Sequence, residues 1–321
     1  MATVFQEGGA LIKGWRWRRP PRSKAIKRQA RWGWLFLSPW IIGFLGFTLL
    51  PMLASLIFTF TDFNITRPDE ISFIGLDNYR KLLTDPTTHI SLLVTLRFAM
   101  IAMPVAIIQP ILMAALLNAD NLWARRLFTT LFYMPYTVPL VSVIYIWQGV
   151  LNSQTGWLNR ALGFIGLAGP EWLNSVFWIY PALVLIGLWT AGNAMLITLA
   201  GMQGIPTALY EAAQIDGAGK MRAFFHITLP MITPVIFYNL VLSLIGLFQY
   251  FTIPYILKRG TGEPANATLF YNIYFYRTAF RFQDMGYGST LAWLLFVIAI
   301  TVTIILFAST KYWVYSPGGD D

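Results

Sequence analysis

The residues best suited to specific chemistry lie in one polar stretch, Tyr210-Glu-Ala-Ala-Gln-Ile-Asp-Gly-Ala218, which runs on through Phe224-Phe-His-Ile-Thr-Leu-Pro230. The chemistry is that of being gripped, not that of catalysis. Ala212 and Ala213 make a flat helix face that lets another surface approach closely. Glu211 adds one charge able to pair with an arginine or lysine across the contact. Tyr210, Phe224 and Phe225 supply aromatic bulk for a socket. A catalytic set is not found. The chain has no cysteine, which excludes a thiol nucleophile, a disulfide framework and a cysteine-bound zinc. His89 and His226 stand far apart, in no metal-ligand spacing, so no metal site is expected.

The elements that position this stretch follow from its punctuation. Pro206 suits the first turn of a helix, where its missing N–H costs nothing. A short helix over 207–215 is expected, then a turn or helix end at Asp216-Gly217. A second helix over 220–227 follows, and Leu229-Pro230 marks the return to an apolar segment.

Everything around the stretch reads as membrane. Of the 321 residues, 56% are apolar and only 12% are charged, where a soluble domain carries roughly 25%. Long apolar runs with almost no charge indicate an all-α polytopic membrane protein, and the short alternating segments of a β-barrel are absent. Six spans are expected, at 34–60, 90–118, 127–150, 176–200, 231–257 and 289–313, with Pro135, Pro139 and Pro181 interrupting the third and fourth. The formal charge of +9 does not imply a nucleic-acid partner, because the excess sits beside the first span.

Charge bias sets the orientation. The tail 1–33 carries Lys13, Arg16, Arg18, Arg19, Arg22, Lys24, Lys27, Arg28 and Arg31 against Glu7, which places it in the cytoplasm. Trp15 and Trp17 among these cations suit a segment lying on anionic lipid. The segment after the first span is acid-rich and falls outside. Six spans then give N-in, C-in topology: a transmembrane region 34–313, a cytoplasmic loop 201–230 and a cytoplasmic tail 314–321. One segment resists the rule. Lys258, Arg259, Arg277 and Arg281 outnumber Glu263 and Asp284 after the fifth span, yet they fall outside. Arg97, near the outer end of the second span, either snorkels to the headgroups or faces a polar pathway.

Glu-Ala-Ala, three residues, Gly, nine residues, Ile-x-Leu-Pro is present without departure as Glu211, Ala212, Ala213, Gly217, Ile227, Leu229 and Pro230. This resembles the signature loop of the membrane subunits of bacterial ATP-binding-cassette importers. The fuller Tyr210-to-Ala218 form, with Asp216 and with Phe224 or Phe225 before Leu-Pro, is similar to the sugar-importer branch. The resemblance extends to Phe73-Ile-Gly-Leu-Asp-Asn-Tyr-Arg80, which looks like the external segment of the maltose-type first permease. Tyr271-Asn-Ile-Tyr, Phe280 and Met285-Gly-Tyr-Gly288 resemble the outer loop before the last span. One departure is Leu257-Lys-Arg-Gly-Thr-Gly-Glu-Pro264, where the family tends towards Thr-Gly-Gly-Gly-Pro.

The resemblance implies a permease subunit in a bacterial inner membrane, paired with a second permease. Two ATPase subunits, which carry the ATP and Mg, dock on the signature loops, and an external solute-binding protein delivers a carbohydrate. This chain lacks a Gly-x-x-x-x-Gly-Lys-Ser/Thr phosphate loop, so it is not the ATPase. The spans flanking the signature loop line the sugar site in the maltose-type permeases. Here their polar and aromatic side chains are Trp189, Thr190, Asn193, Tyr238, Asn239, Ser243, Gln249 and Tyr250. For each alone, a helix–helix hydrogen bond is an equal reading. An ion-coupled carrier would need intramembrane Asp or Glu on its pathway, and the six spans contain none. The alternative within the class is a glycerol phosphate or an acidic sugar, suggested by the outer cations.

Overall fold

In hydrocarbon the backbone has no water to bond, so a chain this apolar must satisfy its own amides. The computed structural model, which describes residues 24–119 and 121–316, is helical accordingly. Among the described residues it has isolated bridges, Thr61 to Phe73 and Asn64 to Asp284, and no strand. Most of the basic tail, with Lys13, Arg16, Arg18, Arg19, Arg22, Trp15 and Trp17, lies outside the described residues, as does 317–321.

The chain divides into two compact units, Met1–Ser55 and Leu56–Asp321. The first holds α1 (Lys24–Phe44) and a π-helical turn, Leu45–Leu49, with α2 (Leu50–Phe58) crossing the division. Trp40 and Phe44 stack within it at 5.5 Å.

The second unit contains α3 (Asp77–Thr84), α4 (Pro86–Leu117), α5 (Arg125–Thr137), α6 (Leu140–Val150), α7 (Trp157–Phe164), α8 (Ile179–Trp189) and α9 (Gly192–Gln203). Next come α10 (Thr207–Ile215), α11 (Lys220–Ala223), α12 (Leu229–Met231), α13 (Thr233–Phe248), α14 (Thr252–Lys258), α15 (Tyr271–Tyr276) and α16 (Met285–Trp313). Four segments are long and apolar enough to cross a membrane: 31–58, α4, 233–258 and α16. Two bent pairs, α5–α6 at 100° and α8–α9 at 56°, raise the number to six if each is one span. Val138-Pro139 makes the first bend, since proline forces the residue before it out of helical geometry.

The second unit packs around two apolar cores. One gathers Val94 and Phe98 of α4, Ile144 of α6, Leu183 and Ile186 of α8, Leu247 of α13, Phe270, Tyr271 and Leu291. The other gathers Ala114 and Leu117 at the far end of α4, with Met195, Leu199, Met202, Ile205 and Ile232. The 16 residue steps along α4 from Phe98 to Ala114 correspond to about 24 Å of helix, so the cores lie at opposite ends of the unit.

A carboxylate fastens the end remote from residues 201–230. Asp85 caps α4 by accepting from the Thr87 N–H at 2.9 Å. It also accepts from Thr88 Oγ1 at 2.8 Å, from Tyr287 Oη at 2.9 Å and from the Tyr274 hydroxyl, which joins α4, α15 and α16. Burial works against the charge, but hydrogen bonds from Tyr274, Thr88, Thr87 and Tyr287 outweigh it and hold the carboxyl at about 2. Burial, and after it the Asp85 contact, pushes the Tyr274 phenol up to about 12. Alongside, Lys81 pairs with Asp284 at 2.9 Å and lies 4.1 Å over the Tyr287 ring. Gly286 packs against the Thr61 carbonyl so closely that a Cβ would sit 2.2 Å from its oxygen.

Asp85→Ala should destabilise the folded protein by about 2–4 kcal/mol, from a lost cap and buried hydroxyls left unpaired. Because the folded-state pKa is depressed, the contribution is complete above the ordinary carboxylate range and disappears as pH falls through about 2. Thermal unfolding in detergent should therefore separate the variant from wild type at pH 5–8 and bring them together towards pH 2. Equal midpoints at pH 7 would contradict this account of Asp85.

Candidate functional site

The loop between α9 and α13 is built as the sequence suggests, with instructive differences. Its first helix is α10, Thr207–Ile215, and Pro206 is its N-cap residue, one position before the first turn. Gly217 has φ +77°, a conformation that favours glycine. Its N–H bonds the Gln214 carbonyl at 3.0 Å and the Ala218 N–H bonds Ala213 at 2.8 Å, the paired bonds of a Schellman helix end.

The second helix does not run unbroken to Ile227. It is α-helical over Lys220–Ala223 and then becomes a π turn, Phe224–Thr228. Pro230 explains this physically. It has no N–H to give and its ring crowds the carbonyl four residues back. The wider turn lets the Leu229 N–H reach the Phe224 carbonyl instead.

The aromatic residues of the loop divide their labour. Tyr210 and Phe224 turn inward and pack on the core of Ala114, Met195 and Ile232. Tyr210 Oη meets Thr228 Oγ1 at 2.8 Å, with Thr228 only 5% exposed. Phe225 stays outside at 53% exposure, edge-on to Phe224 at 5.2 Å. Glu211 and Ala212 are exposed and Ala213 is half-buried. Ile215, 87% exposed, and Met221 extend the outward apolar surface. Glu211 and Asp216 form no ion pair among the described residues. The loop thus presents a charged, apolar-flanked helix face while two of its rings grip the bundle.

Of the polar and aromatic residues on the flanking spans, Trp189 and Tyr250 pack against the first core. Trp189 and Thr190 stand where α8 breaks from α9, and Gln249 and Tyr250 where α13 breaks from α14. Trp189 meets Trp147 edge-on at 6.1 Å, and Tyr250 stacks on Phe98 at 4.7 Å. The Tyr250 hydroxyl is buried with no hydrogen-bond partner among the described residues. Asn239 is committed elsewhere: its Nδ2 donates to Thr198 Oγ1 at 3.1 Å, a bond between α13 and α9. Asn193 and Ser243 are half-buried on the same two elements, and Tyr238 is exposed.

Sequence reasoning missed three contributors. Gln109 of α4 donates from Nε2 to the Leu188 carbonyl at 3.0 Å, serving the backbone at the α8–α9 break, and its Oε1 is buried with no partner among the described residues. A glutamine inside an apolar helix, next to Pro110, was the available signal. Thr198 and Thr228 carry no signal of their own, because threonine in a span usually bonds its own helix.

Relatives share this architecture. The family described as binding-protein-dependent transport system inner membrane component matches residues 102–314. A probable ABC transporter permease protein, YesP of Bacillus subtilis, is 38% identical over 92% of this chain and 95% of its own length. The arabinooligosaccharides transport system permease protein AraP of the same organism is 33% identical, covering 85% of this chain and 86% of its own. Among solved structures, a chain of the bacterial alginate ABC transporter, in complex with alginate pentasaccharide-bound periplasmic protein, superposes with a TM-score of 0.77 at 25% identity. That match covers 90% of this chain and 96% of that one. The chain belongs to the family of binding-protein-dependent transport system inner membrane components, as a multi-pass permease of the sugar ABC importer kind.

Proposed function

We propose that the chain forms half of the translocation path of a carbohydrate importer, with an oligosaccharide as cargo. The observation that carries this is the similarity to a permease named for arabinooligosaccharides over 85% of this chain, joined to the amide, hydroxyl and aromatic groups on the two spans that flank the loop. Sugars need hydrogen bonds at their edges and rings against their faces. Trp189, Thr190, Asn193, Ser243, Gln249 and Tyr250 offer both, with Tyr238 at the margin and Asn239 holding the helices together.

In this reading six spans cross the inner membrane with both ends in the cytoplasm, each bent pair counting as one. The basic tail 1–33, the transmembrane region 34–313 and the tail 314–321 keep their expected places. Broken helices suit such a path, because irregular backbone is tolerated at membrane depth where it lines a cavity. A second permease completes the path and an external binding protein delivers the sugar. Two ATPase subunits, with their ATP and Mg, dock on loop 201–230 and its counterpart. Glu211 pairs with a cation of the ATPase, and Ala212 and Ala213 allow close approach. Asp216 and Gly217 close the helix, and Phe225 fills a socket. Tyr210, Phe224, Leu229 and Pro230 pass the movement to α13. A solute carrying acid groups is the second reading, supported by the structural likeness to an alginate transporter.

Glu211→Lys should leave the protein inserted and its partners expressed, but lower ATP-driven uptake by at least ~10-fold, the cost of a charge reversal at a docking contact. Wild-type uptake would remove the coupling role. Asn193→Ala and Ser243→Ala should each weaken solute affinity roughly 5- to 10-fold, the range of one lost hydrogen bond, with ATPase docking unchanged. Unaltered transport kinetics in both would remove the pocket. Binding protein loaded with a panel of glycans and polyols should stimulate ATP hydrolysis by the reconstituted complex. Stimulation by none of the carbohydrates would reject the carbohydrate reading.

A further inference from the structure

At the end of the bundle remote from loop 201–230, α14 stops at Lys258 and the chain turns through Arg259 at φ 51° and Gly260 at φ 68°. A left-handed backbone is unfavourable for any residue with a Cβ, and helix ends usually place glycine in it. An arginine here forgoes the stability that glycine would give. Its N–H caps α14 by bonding the Tyr255 carbonyl, but its exposed side chain makes no hydrogen bond or ion pair among the described residues.

The neighbouring element carries an independent sign. Residues Arg277–Arg281 form a π turn that opens and closes on arginine, and such turns gather at functional sites. Arg277 reaches across to the Gly260 carbonyl, Nη1 donating at 3.4 Å. Its guanidinium lies 5.5 Å over the Phe282 ring, and its Nε is buried with no acceptor among the described residues. Arg281 is exposed and unpaired among the described residues. The same elements carry a ladder of rings: Tyr255 to Tyr276 at 5.4 Å, then Tyr276 to Phe280 at 5.2 Å, with Phe280 51% exposed. Of the nearby acids, Asp284 is occupied by Lys81 at 2.9 Å, leaving Glu263 alone against the arginines.

Anchoring to the membrane does not account for the pattern. In the proposed orientation this segment lies outside, where insertion disfavours lysine and arginine. We propose that Arg259, Arg277 and Arg281, with the rings of Tyr255, Tyr276 and Phe280, form a reception site for an acidic sugar, a glycan bearing carboxylate or sulfonate groups. Guanidinium groups match such anions with paired hydrogen bonds, and the rings offer apolar faces to the pyranose between them. The proposal rests on the importer reading and narrows the class of its cargo.

The test uses the complete importer in nanodiscs without binding protein, probed with trigalacturonate and with its neutral carboxyl-reduced trisaccharide. Wild type should bind trigalacturonate at least ~10-fold more tightly, a ratio that shrinks as salt screens the charges. Arg259→Gly combined with Arg281→Gln should abolish the preference. Glycine suits the left-handed position, so misfolding at the turn would not explain the loss. Equal binding of the two probes by wild type, or a preference that survives in the variant, overturns the site. In a parallel measurement with solute-free binding protein added, a loss confined to that association overturns the site as well and would make the patch a protein dock. The two readings fail separately: a preference that vanishes in the variant upholds the site even where no carbohydrate stimulates ATP hydrolysis, a result that strikes only the transport reading.

Discussion

The hydrogen bond between Tyr210 and Thr228, 2.8 Å long, ties α10 to the π turn at the far end of loop 201–230. It sits beside the core of Ala114, Met195, Leu199 and Ile232, so α10 is seated on the ends of α4, α9 and α13 and does not hang free. A buried hydroxyl pair contributes only about 1 kcal/mol by itself. Its importance is geometric. Together with Phe224 it fixes which face of α10 looks in and which, with Glu211 and Ile215, looks out. A force applied to the outward face would reach α13 through Thr228, Leu229 and Pro230, across a turn that Pro230 has already widened.

Further along the bundle the governing constraint is the absence of water. Inside hydrocarbon, packing apolar groups together gains no transfer energy, since lipid is equally apolar. Specific contacts must decide the arrangement. Asn239 with Thr198, at 3.1 Å, and Gln109 with the Leu188 carbonyl, at 3.0 Å, are contacts of that kind. Each is worth about 0.6–2 kcal/mol, enough to choose among packings and too little to lock one. At the remote end Asp85 does more, because one carboxylate gathers α4, α15 and α16. The unit is therefore fastened firmly at its two ends, by Asp85 and by the Tyr210 seat, and lightly between them.

Much of this was legible in the sequence. The periodic apolar runs located the long helices to within a few residues: α4 begins at Pro86 where 90 was expected, and α16 at Met285 where 289 was expected. The loop was the clearest of all, since 207–215 and the turn at Gly217 follow from short-range rules of capping and backbone conformation. What could not be read were the partners of individual side chains. Tyr210 and Phe225 look alike as aromatic residues of one loop, but one grips the bundle and the other faces out. Asn239 and Asn193 look alike as asparagines of spans, yet only Asn239 has its amide committed to a neighbouring helix. Those choices depend on helix rotation and on contacts 18 and 41 residues apart in sequence, which no local pattern encodes. Asp85 escaped notice for the same reason, because Tyr274 and Tyr287 meet it only in three dimensions.

The central claim is that loop 201–230 and α13 move as one body. A chain without cysteine allows spin labels at two introduced cysteines, replacing Ile215 on the outward face of the loop and Leu242 on the exposed face of α13. Pulsed EPR on the assembled importer would report their separation in nucleotide-free and ATP-trapped states. The account predicts one narrow distance common to both states, and a broadened distribution in Tyr210→Phe. A wild-type distance that changes between the two states would mean that the loop hinges independently of the span, and would contradict the account.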